Sequence, residues 1–237
     1  MSTAKRPRRQ RREPKQVRST KRLEEILEAT GRLLDRVGYE ATTTTAIARE
    51  AKASVGTVYE YFPDRDALVR ALLERYRTRL RRALEEVLAG VDQRTWRATA
   101  ARAVATFADF YRREPGYRVL WLESETTPAL RDAGASWGEE FGAMLEPLIA
   151  AFAPALPPLE RRAVARTSMY LVSGLVSAAL VGPQELCEPM LRETERALGS
   201  YLAEVLRSRA ARQSSHGKTR AVRAHRPRRR GAVTPGT

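Results

Sequence analysis

The sequence predicts an all-α protein in which a long helix joins an N-terminal helix-turn-helix domain to a C-terminal helical bundle. Three observations support this fold class. Apolar residues recur three and four positions apart through most of the chain, which is the spacing of one helix face. Glycine and proline fall between these periodic segments, where helices end. Two short helical segments joined by a tight turn stand between longer ones, as in a helix-turn-helix.

An apolar stripe and a run of threonines define the first two helices. Helix one stops at Gly38, and its stripe consists of Leu23, Ile26, Leu27, Leu33, Leu34 and Val37. The following residues 42 to 45 are all threonine. β-Branched residues disfavour a helix interior, but their hydroxyls cap a helix start well. Because helical spacing resumes at Ile47 and Ala48, we expect helix two to begin near Thr43 or Thr44.

The stretch "SVGTVYEYF", residues 54 to 62, predicts a short third helix. Lys52 and Ala53 are too few to form more than a turn, and Ser54 is a favourable N-cap. The helix should therefore follow Ser54 and end near Tyr61. About eight residues at roughly 1.5 Å each form a rod of about 12 Å, which is short enough to lie in the major groove of DNA.

The two faces of this third helix differ in composition. Val58 and Phe62 are four residues apart, and Tyr59 and Phe62 three apart, so we expect these three to form a core face. Glu60 is either solvated or accepts a hydrogen bond from cytosine N4. The opposite face is too small and too sparsely charged for an ordinary solvated surface, and it consists of Gly56, Thr57 and Tyr61, with Val55 and Glu60 at its edges.

The remaining helices follow from periodicity and breakers. Pro63 and Asp64 start a long fourth helix, which stops at Gly90. Proline and glycine separate the helices of the bundle beyond it. We expect these at residues 96–113, 117–124, 128–152, 159–181 and 185–206.

The net charge of +15 resides in the two ends of the chain. Residues 1–22 carry ten Lys and Arg against Glu13 alone, which gives +9, and residues 207–237 carry ten against no acid, which gives +10. Subtracting both from +15 leaves −4 for residues 23–206, which we call the body. Both ends are poor in large apolar residues, so we expect residues 1–18 to be a disordered basic arm and 207–237 a disordered basic tail.

Composition argues against several functional classes. The two histidines, His216 and His225, lie in the basic tail, so the body has no imidazole for a general base or a histidine metal site. There is no glycine-rich phosphate loop ending in Lys-Ser or Lys-Thr. We therefore expect no enzyme, no metal and no cofactor. The single Cys187, the absence of an apolar run as long as the roughly 18 to 20 residues of a membrane span and the basic N-terminus predict a cytoplasmic, non-membrane protein.

The stretch "GYEATTTTAIAREAKASVGTVYEYFPDRDAL", Gly38 to Leu68, resembles the DNA-binding motif of the tetracycline-repressor (TetR) family. The shared features are a glycine with an aromatic residue, a threonine pair, Ile-Ala, a turn, and a small-residue helix ending in Tyr-x-x-Phe. The direct resemblance covers about residues 20 to 70. It implies a DNA-binding domain at residues 19–66 and a ligand-binding and dimerisation domain at residues 67–206.

The resemblance also implies the residues that contact DNA. Phosphates would be bound by Thr43, Thr44, the adjacent Thr45, and Arg65, and bases would be read by Val55, Gly56, Thr57 and Tyr61. The tyrosine matching Tyr59 would pack and touch the DNA backbone. Lys52 departs from the family, which usually has glycine there, so either the turn avoids a positive φ or Lys52 accepts mild strain. A lysine at this position could also reach a phosphate.

For the bundle, the resemblance implies an effector pocket and a dimer interface. Aromatic and methionine side chains there either fill the core or line an apolar cavity. The candidates for an effector site are Phe107, Tyr111, Trp121, Phe141, Met144 and Tyr170. The uncharged stretch "YLVSGLVSAALV", residues 170 to 181, is either the innermost helix of a monomer or an interface. The resemblance favours a homodimer through residues 159–206.

Taken together, these features predict a sequence-specific, ligand-responsive transcriptional regulator, most often a repressor in this family. Its partners would be a double-stranded, palindromic DNA operator and a small apolar or aromatic effector. The alternative is a nonspecific nucleic-acid-binding protein driven by its basic tails, with a steep salt dependence and no preferred site.

Overall fold

A computed structural model of the chain describes residues 15–224, with side chains described for 16–123, 127, 130 and 137–207. Within these residues the chain forms nine α-helices and no strand. They are α1 Lys15–Val37, α2 Thr44–Glu50, α3 Val55–Tyr61, α4 Arg65–Leu88, α5 Trp96–Arg113, α6 Tyr117–Thr126, α7 Pro128–Phe152, α8 Pro158–Val181 and α9 Gln184–Ala224. The all-α prediction is confirmed.

The described chain divides into two compact units. Unit 1 contains the residues up to Val87 together with Thr106–Trp137, and unit 2 contains Leu88–Ala105 and the residues from Gly138 onward. The predicted boundary near residue 66 is therefore not where the compact units separate. Contacts of α4 explain the difference: the Tyr76 ring packs edge-on against Tyr117 of α6 at 5.6 Å between centroids, which places α6 in unit 1.

Unit 1 is built on apolar residues from its first four helices. The fully buried side chains include Ile26 and Leu34 of α1, Ile47 of α2, Val58 of α3 and Leu68 of α4. The predicted stripe of α1 is thus largely core. Val37 is an exception, since it is 44% exposed at the last position of α1.

Charged side chains connect α1 to its neighbours. Arg36 of α1 donates to Glu50 of α2 at 2.6 Å, and Arg32 reaches the same carboxylate at 3.4 Å. The hydrogen bond from Arg36 lowers the pKa of Glu50. On α4, Arg75 pairs with Glu24 of α1 at 3.2 Å. These ion pairs hold α1 against both the helix-turn-helix and α4.

Both terminal helices are longer than the sequence predicts. α1 begins at Lys15, so residues 15–18 are helical although we expected them in a disordered arm. α9 continues to Ala224, so residues 207–224 are helical although we expected a disordered tail from 207. The extensions are rich in Arg, Lys, Gln and Ala, which favour helix, and no proline occurs between residues 190 and 226. The rest of both predicted tails lies outside the described residues.

Unit 2 has its own apolar core between α7, α8 and α9. The buried residues Ile149, Ala153, Leu156, Val164 and Ala165 form its centre. Side chains of α9 pack against them, namely Tyr201, Leu202, Val205 and Leu206. The turn "APALPP" between α7 and α8 is held by Arg161, whose Nε donates to the Leu156 carbonyl at 2.8 Å.

α8 buries one side and exposes an uncharged stripe on the other. The buried side includes Ala165, Val176 and Ala179. The exposed stripe repeats every three to four residues and consists of Ala163, Thr167, Tyr170, Gly174, Ala178 and Val181. We call it the α8 stripe. By length and composition α8 also meets the requirements of a membrane-crossing helix, although one such helix is weak support for a membrane because core helices of soluble proteins meet them too.

Candidate nucleic-acid interface

The threonine run starts α2 and divides into three roles. The buried Thr42 donates to the Gly38 carbonyl at 2.7 Å, which closes the end of α1. Thr43 is the N-cap, and its hydroxyl accepts from the Ala46 amide at 3.2 Å. Thr45 is exposed and Thr44 half-exposed in the first turn. The prediction that α2 begins at Thr43 or Thr44 is correct, and three hydroxyls stand at its N-terminus.

The turn between α2 and α3 resolves the question about Lys52. Its φ is 50°, and among the described residues it is the one non-glycine residue with a positive φ. Lys52 therefore accepts the left-handed conformation that glycine adopts without strain. Its exposed side chain makes no ion pair with any described residue.

α3 presents one buried and one exposed side. Ser54 caps it by accepting from the Thr57 amide at 2.9 Å. Val58 and Phe62, four residues apart, are buried as predicted. Val55 and Gly56 are exposed, and Thr57 and Tyr61 partly so. The exposed side thus carries the small residues that the sequence places there.

The prediction that Tyr59 belongs to the core is wrong. Its side chain is 51% exposed, and its hydroxyl lies 3.4 Å from Oγ1 of Thr44. The reason is angular: successive helix residues are turned by about 100°, so only the pair Val58 and Phe62 points directly into unit 1. Tyr59 therefore joins α3 to the threonines of α2 on one surface.

Gly56 leaves open space over the middle of this surface. A Cβ atom built on Gly56 would meet only Ser54 Oγ, at an ordinary contact distance of 3.7 Å. Nothing in the protein itself therefore requires glycine here. An approaching backbone or base edge would supply such a requirement.

Arg65 starts α4 beside α3 and is held in place by an aromatic ring. Its guanidinium lies 4.4 Å from the ring centroid of the buried Tyr39 and its Nε 3.8 Å from Asp66. Tyr39 in turn donates to Asp66 at 3.4 Å. Burial is the main cause that raises the pKa of Tyr39. The ring positions the cation of Arg65 without neutralising it.

Basic residues of α1 extend the surface. Arg18 was predicted to lie in the disordered arm, and Lys21 and Arg22 at the start of the DNA-binding domain. An open cleft of about 690 Å³ separates the first turns of α1 from α3. Arg22 pairs with Glu25 of the same helix at 2.8 Å, whereas Arg18 and Lys21 have no ion pair among the described residues. The cleft is lined by Arg18, Ser19, Lys21, Arg22 and Glu25 of α1 and by Thr57, Glu60 and Tyr61 of α3.

The six predicted effector residues divide between the two units. Phe107, Tyr111 and Trp121 come together in unit 1, where the ring of Phe107 lies 6.5 Å from Tyr111 and 6.3 Å from Trp121. The other three belong to unit 2, where Phe141 is buried, Met144 is half-buried and Tyr170 is 52% exposed.

Sequence reasoning missed the residue at the centre of the unit 1 aromatics. Tyr117 is fully buried at the start of α6, and five rings surround it. The signal for it was present, because aromatic residues concentrate between positions 107 and 141, but spacing within separate helices does not show which ring is central. The neighbouring rings are Tyr76, Phe110, Tyr111, Trp121 and Trp137.

Two family descriptions match the chain. Residues 26–72 match "Bacterial regulatory proteins, tetR family", and residues 95–202 match "Tetracyclin repressor-like, C-terminal domain". The first match contains α2, α3 and the turn with Lys52, and the second begins just before α5 and ends within α9.

Individual relatives give the same assignment. The chain is 29% identical over 162 residues to the HTH-type transcriptional regulator BetI of Burkholderia thailandensis, which covers 67% of this chain and 82% of that protein. It is 34% identical over 76 residues to the HTH-type transcriptional regulator HbdR of Aromatoleum sp., and this match covers 30% of the present chain and 33% of HbdR. The crystal structure of a TetR-family transcriptional regulator from Streptomyces coelicolor superposes with a TM-score of 0.61 at 26% identity, covering 78% of this chain and 99% of that one.

Proposed function

The chain belongs to the tetracycline-repressor family of DNA-binding transcriptional regulators, and from that premise we propose that it is a homodimeric repressor of a palindromic operator, released by a small effector. We further propose that it acts in the cytoplasm, where such an operator would be found.

The observation that carries this proposal is the composition of the exposed side of α3. α3 has seven residues, and with Val58 buried its exposed side carries small or hydroxyl-bearing groups, one glycine with open space above it, and Glu60 as its one charged residue. Such a face lets a helix approach base edges in the major groove closely. We assign base reading to Val55, Gly56, Thr57 and Tyr61.

Phosphate binding is assigned to the groups that flank this helix. Thr43, Thr44 and Thr45 stand at the N-terminus of α2, where amides and hydroxyls favour an anion. Tyr59, through its position beside Thr44, belongs to the same set. Lys52 and Arg65 supply cations on either side of α3. Contacts of this kind fix the register of the protein on DNA without reading its sequence.

The α8 stripe supports the dimer. It is exposed over the length of α8 and carries no charge, and a Cβ built on Gly174 would meet nothing within 4 Å. Small residues three to four apart let a second helix approach closely. We propose that the stripe packs against its own copy in an isologous interface within residues 159–206, together with α9.

We propose two separate sets of effector-binding residues, one within each unit. Phe107, Tyr111 and Trp121 form the set in unit 1, and Phe141, Met144 and Tyr170 form the set in unit 2. A ligand releases the operator only if it binds the DNA-free arrangement more tightly than the DNA-bound one, because equal affinity shifts nothing.

A binding selection with the full chain against random duplexes tests the proposal. Two recognition helices related by a two-fold axis meet the same face of DNA about one helical turn, roughly 34 to 36 Å, apart or at a multiple of that distance. The expected result is an inverted repeat bound about 10³ to 10⁷ times more tightly than random DNA. A variant with Tyr61→Ala should recover a relaxed motif with the same half-site spacing.

Recovery of no preferred sequence, with binding that depends steeply on salt, would overturn the proposal. That result would favour the nonspecific nucleic-acid binder, since counterion release acts on any duplex.

A further inference from the structure

The start of α6 holds a buried hydroxyl without a partner. Tyr117 is fully buried, and its hydroxyl oxygen makes no hydrogen bond in the described part of the chain. Buried polar groups in native proteins are almost always paired, because an unpaired one forfeits its bonds to water. An acceptor that arrives from outside the chain would satisfy this hydroxyl.

Aromatic rings form the surroundings of this hydroxyl. Three rings stand nearly perpendicular to Tyr117, with centroids 5.0 to 5.6 Å away, and Trp137 stacks on it at 5.6 Å and 24°. Perpendicular and stacked geometries are the arrangements in which aromatic rings attract one another. A planar aromatic ligand can exchange one such contact for another. The three perpendicular rings are Tyr76, Phe110 and Tyr111.

Among the described residues, no formally charged group acts on the pKa of this hydroxyl. Burial is the first cause that raises the pKa of Tyr117 far above its ordinary value, and the neighbouring Tyr111 is the second. A charged ligand group at this point would lose its water without gaining an opposite charge. The environment therefore favours a neutral ligand.

We propose that the Tyr117 hydroxyl is the hydrogen-bond donor of an effector subsite for a neutral aromatic molecule that carries an acceptor oxygen. The proposal rests on the proposed function, in that it assumes a ligand-responsive regulator. It goes further by naming the donor, the unit that holds it and the chemistry of the ligand.

The position of Tyr117 gives the subsite a direct route to the DNA-binding helices of unit 1. The preceding Gly116 has a φ of 78°, and a Cβ on it would come within 2.6 Å of the Gly31 carbonyl of α1. Tyr76 of α4 donates to the carbonyl of Pro115 in the same turn. A ligand that moves Tyr117 therefore displaces a turn that is in contact with α1.

Direct binding of three probes to the full chain, without DNA, tests the ligand class. Acetophenone has the acceptor oxygen, ethylbenzene is its close match without one, and trimethylphenylammonium carries a positive charge. Binding is followed by tryptophan emission, because Trp121 and Trp137 both lie against Tyr117. We expect acetophenone to bind at least tenfold more tightly than ethylbenzene and more tightly than the cation.

Tyr117→Phe removes only the donor and should abolish the preference for acetophenone over ethylbenzene. Tyr76→Phe is the matched control, since its hydroxyl already has a partner in Pro115. The two variants should shift the midpoint of thermal unfolding in opposite directions. Tyr117→Phe should raise it by removing an unpaired buried group, and Tyr76→Phe should lower it by leaving the carbonyl unpaired.

Four results would overturn the subsite. They are no binding of acetophenone near its solubility limit, an unchanged preference in Tyr117→Phe, tighter binding of the cation, or a lowered unfolding midpoint in Tyr117→Phe. Each is measured without DNA, so it leaves the proposed operator binding standing. Failure of the operator selection would likewise leave these ligand measurements interpretable.

Discussion

The outer face of α3 and the α8 stripe are both exposed, small and nearly uncharged, but their surroundings differ. The face of α3 bears hydroxyls and is flanked by the cations Lys52 and Arg65. The central part of the α8 stripe, from Tyr170 to Val181, has no charged residue in its sequence. Small side chains let a partner molecule approach closely in both cases. The residues beside each face indicate which kind of partner binds there.

Cations around a small helix face suit a polyanion, because phosphate contacts supply most of the affinity of DNA-binding proteins. A stripe whose central part, from Tyr170 to Val181, contains no charged residue suits a second protein surface, where the stabilisation comes from apolar burial. If this comparison is correct, changes to the α8 stripe should act on association of the chain with itself. Changes to α3 should act on DNA and leave association intact.

The largest loss of operator affinity should come from Gly174→Arg, through loss of the dimer. The protomer has room for the new side chain, and arginine favours helix over glycine by about 0.8 to 1 kcal/mol, so folding of the chain itself should not suffer. A facing copy would be blocked and would bury an unpaired charge. We expect a monomer by light scattering and operator affinity lowered by at least about 100-fold, or about 2.7 kcal/mol.

Ala105→Arg is the control for that variant, since it adds the same group to an exposed position of α5. It should remain a dimer with nearly full affinity. A dimeric Gly174→Arg variant would place the interface elsewhere than on the α8 stripe.

The next largest effect should come from the face of α3. Tyr61→Ala or Thr57→Ala should weaken the preferred site by about 1 to 3 kcal/mol and relax base preference, because each removes a group proposed to touch bases. Gly56→Ala adds one methyl group where the protein has open space, so unfolding stability should hold or rise while operator binding weakens. Binding measurements on a set of operator variants give the affinity and the base preference of each protein variant. An unchanged base preference in Tyr61→Ala would show that this face of α3 does not read bases.

Removal of the cations that flank α3 should lower DNA affinity by a smaller amount and leave the sequence preference unchanged. Arg65→Ala, or Arg18→Ala with Lys21→Ala, should weaken binding to operator and random DNA alike. The slope of log affinity against log salt should fall by about 0.9 for each phosphate that the variant no longer binds. A salt titration on both duplexes checks this, and Arg113→Ala on α5, whose exposed side chain pairs only locally with Asp109 at 3.3 Å, is the control that should leave the slope unchanged. Altered base preference in the α1 variant would show instead that α1 reads a groove.

The smallest effect should come from Lys52→Gly. The left-handed φ of Lys52 costs roughly 1 kcal/mol that glycine avoids, so the variant should be more stable to urea by up to that amount. If Lys52 also binds a phosphate, the salt slope falls while the stability rises. A decrease in stability would show that the lysine side chain makes an interaction that offsets the strain.

The sequence predicted well those features that depend on neighbouring residues. The N-caps Thr43 and Ser54 and the start of α4 after Asp64 are where turn and cap chemistry placed them. These depend on hydrogen bonds three residues apart, such as that from the Thr57 amide to Ser54. Local chemistry of this kind is visible in the order of residues.

The features that the sequence did not predict depend on packing between helices. Tyr59 shares a helix turn with Phe62 but is rotated out of the core, so spacing alone assigned it wrongly. The central position of Tyr117 needs α4, α5 and α7 in place around it. The sequence also does not explain why α4 and α6 share a compact unit with α1, which depends on the close approach of Gly31 and Gly116.

The most direct test of the comparison is the mass of the chain bound to its selected operator, measured by light scattering for the natural sequence and for Gly174→Arg. The account predicts two protomers on one inverted repeat for the natural sequence. It predicts no complex of comparable affinity for Gly174→Arg, whose α3 is intact. A single protomer bound with full affinity in both cases would contradict the assignment of the α3 face to DNA and the α8 stripe to a second copy.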